Sequence, residues 1–160
     1  MNMSEFLAYI KVEPFVRQWL VNHFGDPVTF PPQSIENATI RTFLRKLPPD
    51  KIPEQMKEGE VRIRIPDSKQ KPVQTFNYLG PHAKMAVAEC MEDTFKRNMW
   101  AELNDMHDCG CTVHTAICAW CENHGIDLDY SDTIRQRYYR MRDAYLRRGV
   151  DLRHKKRNKE

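Results

Sequence analysis

The densest set of chemically active side chains in this sequence lies between His107 and His124. These 18 residues hold four cysteines and three histidines, the side-chain types that bind transition metals. The seven are His107, Cys109, Cys111, His114, Cys118, Cys121 and His124. Tetrahedral zinc needs four such ligands at about 2.0–2.3 Å, and the C-x-x-C spacing of Cys118 and Cys121 occurs in zinc sites. Two more residues of the set would complete a zinc site.

The spacing of these residues favours burial over metal binding. Cys111, His114, Cys118 and Cys121 follow at steps of three, four and three along one predicted helix, and therefore spread over about 15 Å of rise. Side chains so far apart do not converge on one ion. Free cysteine is commonly a small buried hydrophobe, and we expect Cys118 and Cys121 to pack beside Trp120. The sequence predicts no metal ligand, with zinc as the alternative that stays open.

The sequence does not indicate catalysis. A cysteine and a histidine close together on one helix seldom form a nucleophilic pair, and no third group is evident that would orient them. The six glycines stand singly, so a phosphate-binding loop and a dinucleotide fingerprint are both missing. We therefore expect neither enzymatic activity nor a cofactor.

Positive charge is concentrated at the carboxyl-terminal end of the sequence. Residues 131–160 hold eight Arg and three Lys against four acidic residues, a net charge of +7, whereas residues 1–130 carry −4. A helix is predicted from Ser131 to just before Gly149. Its apolar stripe, expected to face inward, is formed by Ile134, Tyr138, Met141 and Tyr145. The arginines would then lie on the outer side.

These outer side chains are the predicted nucleic-acid contacts. Arginine is always charged and forks bidentately onto phosphate or guanine. The predicted contact residues are Arg135, Arg137, Tyr139, Arg140, Arg142, Arg147, Arg148, Lys155, Lys156 and Arg157. The last three belong to a basic tail that we expect to be flexible and to follow a DNA backbone. A purely solvated basic face is the alternative.

The preceding residues complete the outline of a helix-turn-helix. A helix from Thr112 to His124, a turn from Gly125 to Tyr130 and a recognition helix from Ser131 to Arg148 have that order. The run AICAWCENHGIDLDYSDTIRQRYYRMRDAYLRRG resembles helix-turn-helix segments of small DNA-binding proteins of phages and mobile elements. The resemblance covers only the carboxyl-terminal part, and it implies DNA binding by the exposed face of the second helix.

A protein partner or self-association is the competing hypothesis. Four methionines are placed along the long helix predicted before this motif: Met85, Met91, Met99 and Met106. Methionine adapts to varied surfaces, so such a helix could dock onto a protein in a phage or mobile-element assembly. The basic face would then only be solvated.

Proline and glycine predict how the chain is organised. All ten prolines lie between Pro14 and Pro81, so short elements are expected before residue 81 and long helices after it. We predict an α+β fold with a small proline-rich part over residues 1–80. A three-helix part over 81–150 and a basic tail over 151–160 follow.

Hydrophobic spacing predicts the individual elements. The first helix begins at Pro14 and ends at Gly25, and the second is capped by Ser34 and ended by prolines 48 and 49. The apolar face of this second helix should hold Ile35, Ala38, Ile40, Phe43 and Leu44. Alternation of apolar and charged side chains predicts a strand over 61–65. Weaker strands are predicted over 7–12, 28–30 and 75–79, and these could pair with it. The stripe Ala88, Met91, Phe95, Met99, Leu103 and Met106 predicts a long helix over 82–108.

Composition sets the broad class of the protein. No segment approaches about 18 consecutive apolar residues, and the first residues do not have the basic and apolar pattern of a secretory leader. We expect a soluble cytoplasmic protein without membrane contact. Its five cysteines, an odd number, should be reduced thiols.

Overall fold

The computed structural model describes residues 6–149, which form an α+β fold. The described part contains five α-helices and two small sheets. In chain order the elements are β1 Leu7–Lys11, α1 Pro14–Phe24, α2 Ile35–Phe43, β2 Arg45–Lys46, β3 Glu60–Arg64, β4 Phe76–Tyr78, α3 Pro81–Asp108, α4 Val113–Asn123 and α5 Ser131–Arg147. None of these helices combines the length and the apolar composition needed to cross a membrane.

Contacts divide the chain into two compact units. The first unit reaches Phe95 and the second begins at Lys96, so the division lies inside α3. The expected boundary at residue 80 coincides instead with the start of that helix. The difference has a structural reason, because Phe95 packs its ring against Phe15 and Trp19 of α1, with centroids 5.7 Å apart in both pairs. The first turns of α3 thus belong to the first core.

The first sheet is built on the alternating strand that the sequence predicts. β1 and β3 pair antiparallel, from Leu7 opposite Arg64 to Lys11 opposite Glu60. Val61 and Ile63 are buried, whereas Arg62 lies on the other face and pairs with Asp26 at 2.8 Å. Residue 28 adds one parallel bridge to Ile63 on the second edge of β3. The predictions for residues 7–12 and 61–65 are therefore confirmed within one residue.

The expected pairing of residues 75–79 with the first sheet is wrong. β4 pairs antiparallel with β2, a strand that the sequence did not predict, and the two form a separate sheet. β2 exists because α2 ends at Phe43, before the prolines that were expected to end it. The Nζ atom of Lys71 donates to the carbonyl oxygens of Arg41, Thr42 and Leu44, at 2.6, 3.2 and 3.1 Å. A charged donor thus satisfies carbonyls that the end of a helix leaves unpaired.

The buried face of α2 also differs from the prediction. Ile35 and Ala38 are exposed, whereas Glu36 and Asn37 are buried together with Ile40. Buried polar groups require partners. The Nδ2 atom of Asn37 donates to the carbonyls of residues 30 and 31, and the carboxylate of Glu36 accepts from the Thr94 hydroxyl. These distant partners decide which side of the helix faces inward.

The Ser34 cap gives a first prediction. Its side chain accepts from the Asn37 backbone N–H at 3.2 Å, as expected for an N-cap. The S34A variant should lower the free energy of unfolding by about 1 kcal/mol, because one donor at the helix start loses its partner. Urea titration followed by circular dichroism measures this. T42A is the control on the same helix, since its hydroxyl donates only to the carbonyl of residue 38 and its loss should cost less. Equal losses in the two variants would contradict the capping role.

The second unit is a helical core. Its buried apolar side chains come from the end of α3, from α4, from the turn after α4 and from α5: Met99, Leu103, Ala116, Ile117, Trp120, Cys121, Ile126, Ile134 and Tyr138. The long helix is confirmed over Pro81–Asp108, although Ala88 and Met106 of the predicted stripe are only half-buried. Each of the short helices buries one face, so the unit is held together by packing between helices.

Candidate nucleic-acid interface

The helix-turn-helix segment folds within two residues of the predicted boundaries. The hydroxyl of Thr112 accepts from the Thr115 backbone N–H at 3.3 Å and caps α4. After α4 the chain turns at Gly125, whose φ of 67° is in the region that glycine enters without steric cost. The buried Ile126 follows, and its N–H donates to the Cys121 carbonyl at 2.9 Å. This contact closes the end of α4 and directs the chain toward α5.

The turn is longer than that of a typical helix-turn-helix because it contains a helical turn of its own. Leu128–Tyr130 forms a 3-10 turn, and the Asp127 side chain accepts from the Asp129 N–H at 3.0 Å. α5 then begins at Ser131 without a side-chain cap. A turn of three or four residues is usual between the two helices of this motif. The match to the motif therefore extends to the order of the elements and not to the turn length.

Two residues anchor the inner side of α5. Ile134 is 0% and Tyr138 2% exposed. The hydroxyl of Tyr138 donates to Asn104 Oδ1 of α3 at 3.0 Å, and its ring stacks on Trp100 with centroids 5.0 Å apart. Burial raises the pKa of Tyr138 above its usual value. These contacts fix the rotation of α5 about its axis.

The carboxyl-terminal half of the predicted apolar stripe on α5 is less buried than expected. Met141 and Tyr145 are half-buried and are absent from the core. Tyr145 still contacts Trp100, with ring centroids 5.7 Å apart. The predicted orientation of the helix is correct, but its second half packs less deeply than its first.

Four of the predicted contact arginines are exposed: Arg135, Arg140, Arg147 and Arg148. Arg137, Tyr139 and Arg142 are half-buried. Among residues 6–149, no carboxylate lies within 4.0 Å of Arg140, Arg147 or Arg148. These three side chains point their charge into solvent. Lys155, Lys156 and Arg157 of the predicted tail lie outside the described residues.

Two arginines on one flank of α5 are already engaged. Arg135 pairs with Asp132 one turn earlier at 3.2 Å, with side chains 45% and 79% exposed. Arg142 lies over the ring of Tyr139, with its Cζ atom 4.6 Å from the centroid. An exposed ion pair is worth at most about 1 kcal/mol, so Asp132 weakens Arg135 as a contact without removing it. The available basic surface lies on the opposite flank.

Comparison of the chain with protein-family models, curated proteins and solved structures gives no match. The resemblance to phage and mobile-element proteins therefore stays a prediction.

Charge along α5 is polarised, a feature that the sequence prediction missed. Asp127, Asp129 and Asp132 are exposed around the start of the helix. The exposed arginines other than Arg135 lie in its second half and just beyond it. The sequence shows this polarity, because the acidic run GIDLDYSD precedes the basic run RQRYYRMR. It becomes visible when charge is followed along the helix axis as well as around it.

The cysteine and histidine cluster is spread through the second unit. In the described residues no group of three or more His, Cys, Asp or Glu side chains is placed to hold a metal ion. Cys121 is buried, as expected, whereas Cys118 is half-buried and its Sγ atom lies 3.9 Å from His114 Nε2. Burial and the nearby Cys118 and Glu122 raise the pKa of Cys121 to about 11.

His124 has a structural position at the end of α4. Its Nε2 atom lies 2.5 Å from Glu102 Oε2 of α3, and its ring packs on Trp120 with centroids 4.9 Å apart. His107 is likewise engaged, with Nδ1 3.0 Å from the carbonyl oxygen of Cys111. The histidines at the two ends of the cluster thus connect α4 and its flanking turn to α3.

Proposed function

We propose that this chain binds DNA, without catalysing a reaction on it, through the outer side of α5 and the basic tail at 151–160. One observation carries the proposal: Arg140, Arg147 and Arg148 are exposed and make no ion pair with any carboxylate among the described residues. Unpaired charge of one sign attracts a polyanion, and DNA phosphates release counterions when arginine binds them.

The anchoring of α5 supports this interpretation. Arginines on a mobile segment would lose conformational entropy on binding, whereas Ile134 and Tyr138 hold this helix in place. Its 17 residues are about 25 Å long, which suits a helix that lies against duplex DNA. The guanidinium group is also weakly hydrated, so its transfer from water to a phosphate costs little.

The competing hypothesis of a methionine-rich docking helix has little surface to use. Met91 and Met99 are 0% exposed and belong to the packed cores. Met106 is half-buried, and Met85 alone of the four is exposed, at 71%. Single exposed apolar side chains are common on monomeric proteins and need no partner. The observations therefore favour DNA binding.

The test removes two exposed arginines from one face of α5. Arg140 and Arg147 are seven residues apart, two turns of helix, and lie on the same side. The R140A/R147A variant should weaken binding to a 30-base-pair duplex by about 30-fold, because each lost hydrogen-bonded phosphate contact is worth about 1 kcal/mol. The plot of log affinity against log salt should also become flatter by about 2. Fluorescence anisotropy between 50 and 200 mM salt measures both quantities.

The matched control is K51A/K69A, which removes the same net charge from exposed loop positions in the first unit. Its affinity should stay within two-fold of the parent protein. Equal losses in the two double variants would show that only net charge matters and would contradict a site on α5. Tighter binding to an RNA duplex of the same sequence would contradict the assignment to DNA.

A further inference from the structure

The direction of the charge gradient along α5 bears on how DNA is held. Residues 127–135 contain three Asp and one Arg, whereas residues 136–149 contain five Arg and one Asp. All three aspartates at the start are exposed. The two ends of one helix therefore present opposite charge to solvent.

A recognition helix that enters the major groove places its first turn against the bases, between two phosphate backbones. In this chain such a pose would bring Asp129 and Asp132 close to those phosphates. The 3-10 turn fixes the backbone of Asp127 and Asp129, so these acidic residues stay next to the start of α5. Electrostatic repulsion opposes that pose.

We propose, on the basis of the DNA-binding function above, that the duplex lies across the carboxyl-terminal half of α5 and is held by its phosphates without sequence preference. Asp132 and Arg140, the nearest of the exposed unpaired arginines, are eight residues apart, about 12 Å along the axis. This separation exceeds the Debye length of about 8 Å at physiological salt, so the three aspartates at the start of α5 hardly weaken contacts made at the other end, where Asp143 is the one acidic residue against five arginines. The first turn of α5 points away from the DNA.

The exposed side chains on the outer face agree with contacts to phosphate. Arg140 and Arg147 flank Ala144, which is exposed and too short to reach a base edge. Gln136, one turn before Arg140, is the exposed side chain of α5 that has the donor and acceptor pair needed to read adenine. Removal of Gln136 tests for the reading of adenine, and selection of duplex sequences tests for the reading of guanine by the arginines.

The experiment combines selection with paired variants. The full chain is used to select duplexes from a library with 20 random base pairs, and its affinity for one unselected duplex is measured across salt. We expect no enriched motif, and we expect Q136A to bind within two-fold of the parent protein. D129N/D132N should also bind within about three-fold, with an unchanged salt slope, whereas R140A/R147A loses affinity.

Other results separate the failure of this inference from failure of the DNA-binding function. An enriched motif, whether or not it survives in Q136A, or a ten-fold gain of affinity in D129N/D132N, would overturn the binding mode and leave DNA binding in place. A protein that binds no duplex at any salt concentration would overturn both. Circular dichroism of each variant checks that the helices are retained.

Discussion

Replacing Tyr138 by Ala is expected to lower the free energy of unfolding of the second unit by about 3–5 kcal/mol, in the range known for buried aromatic side chains. The Tyr138 ring is 2% exposed and stacks on Trp100, and its hydroxyl donates to Asn104. Truncation leaves a cavity and removes the hydrogen bond to Asn104. Urea denaturation followed by circular dichroism measures the loss, and anisotropy with a DNA duplex reports whether the anchored helix is needed for binding.

The next residue provides a matched control. Tyr139 is also a tyrosine on α5, but it is half-buried and its ring is covered by Arg142 on the outer side. Y139A should cost about 1–2 kcal/mol, because it removes the contact with Arg142 and an edge contact with the Tyr138 ring, whose centroid is 5.8 Å away. Similar losses in the two variants would show that α5 is not oriented as described. The basic surface would then have no fixed position.

Elements whose identity depends on local signals were predictable from the sequence. The helices α1, α3, α4 and α5 each combine an apolar face with a start or stop residue close by. Pro14 begins α1, Thr112 caps α4 and Gly125 follows its end, all as the sequence predicts. Capping and backbone preference act over a few residues, so the chain carries this information locally.

Elements that depend on distant partners were not predictable. The inner face of α2 contains Glu36 and Asn37 because Thr94 and the carbonyls of residues 30 and 31 satisfy them. β2 follows from the early end of α2, which Lys71 stabilises from 27 or more residues away. A hydrophobicity pattern assigns such polar residues to the surface, since it contains no information on their tertiary partners.

The candidate site falls between these two cases. Helical spacing predicted that Ile134 and Tyr138 lie inside and that the arginines lie outside. It did not distinguish the arginines that contact another α5 side chain from those that are available to bind DNA. The Asp132–Arg135 pair and the Tyr139–Arg142 stack are both three residues apart, a spacing at which helical side chains meet. Comparable helical spacing, of three and four residues, relates Asp143 to Arg140 and Arg147, which form no ion pair among the described residues, so spacing alone does not identify the available flank.

The stability of the second unit is expected to fall steeply at alkaline pH because of Cys121. Burial raises the pKa of this thiol from 9.0 to about 11. Below pH 9 the thiol is protonated in both the folded and the unfolded chain, and its contribution to stability is complete. Between pH 9 and about 11 only the unfolded chain releases the proton, so this contribution is lost as the pH rises. The total loss is roughly 3 kcal/mol. Urea denaturation at half-unit steps from pH 8 to 11 measures it.

The informative variant is C121A, which has no thiol to ionise. It should start less stable than the parent protein, because the buried side chain is smaller, but should lose less stability as the pH rises. The two curves should approach each other by about 1.4 kcal/mol per pH unit between pH 9 and 11. Tyr138, whose pKa is also raised by burial, contributes equally to both curves and does not affect their difference. C109A, at an exposed cysteine, should run parallel to the parent curve. Parallel curves for C121A would contradict a thiol held neutral by the core.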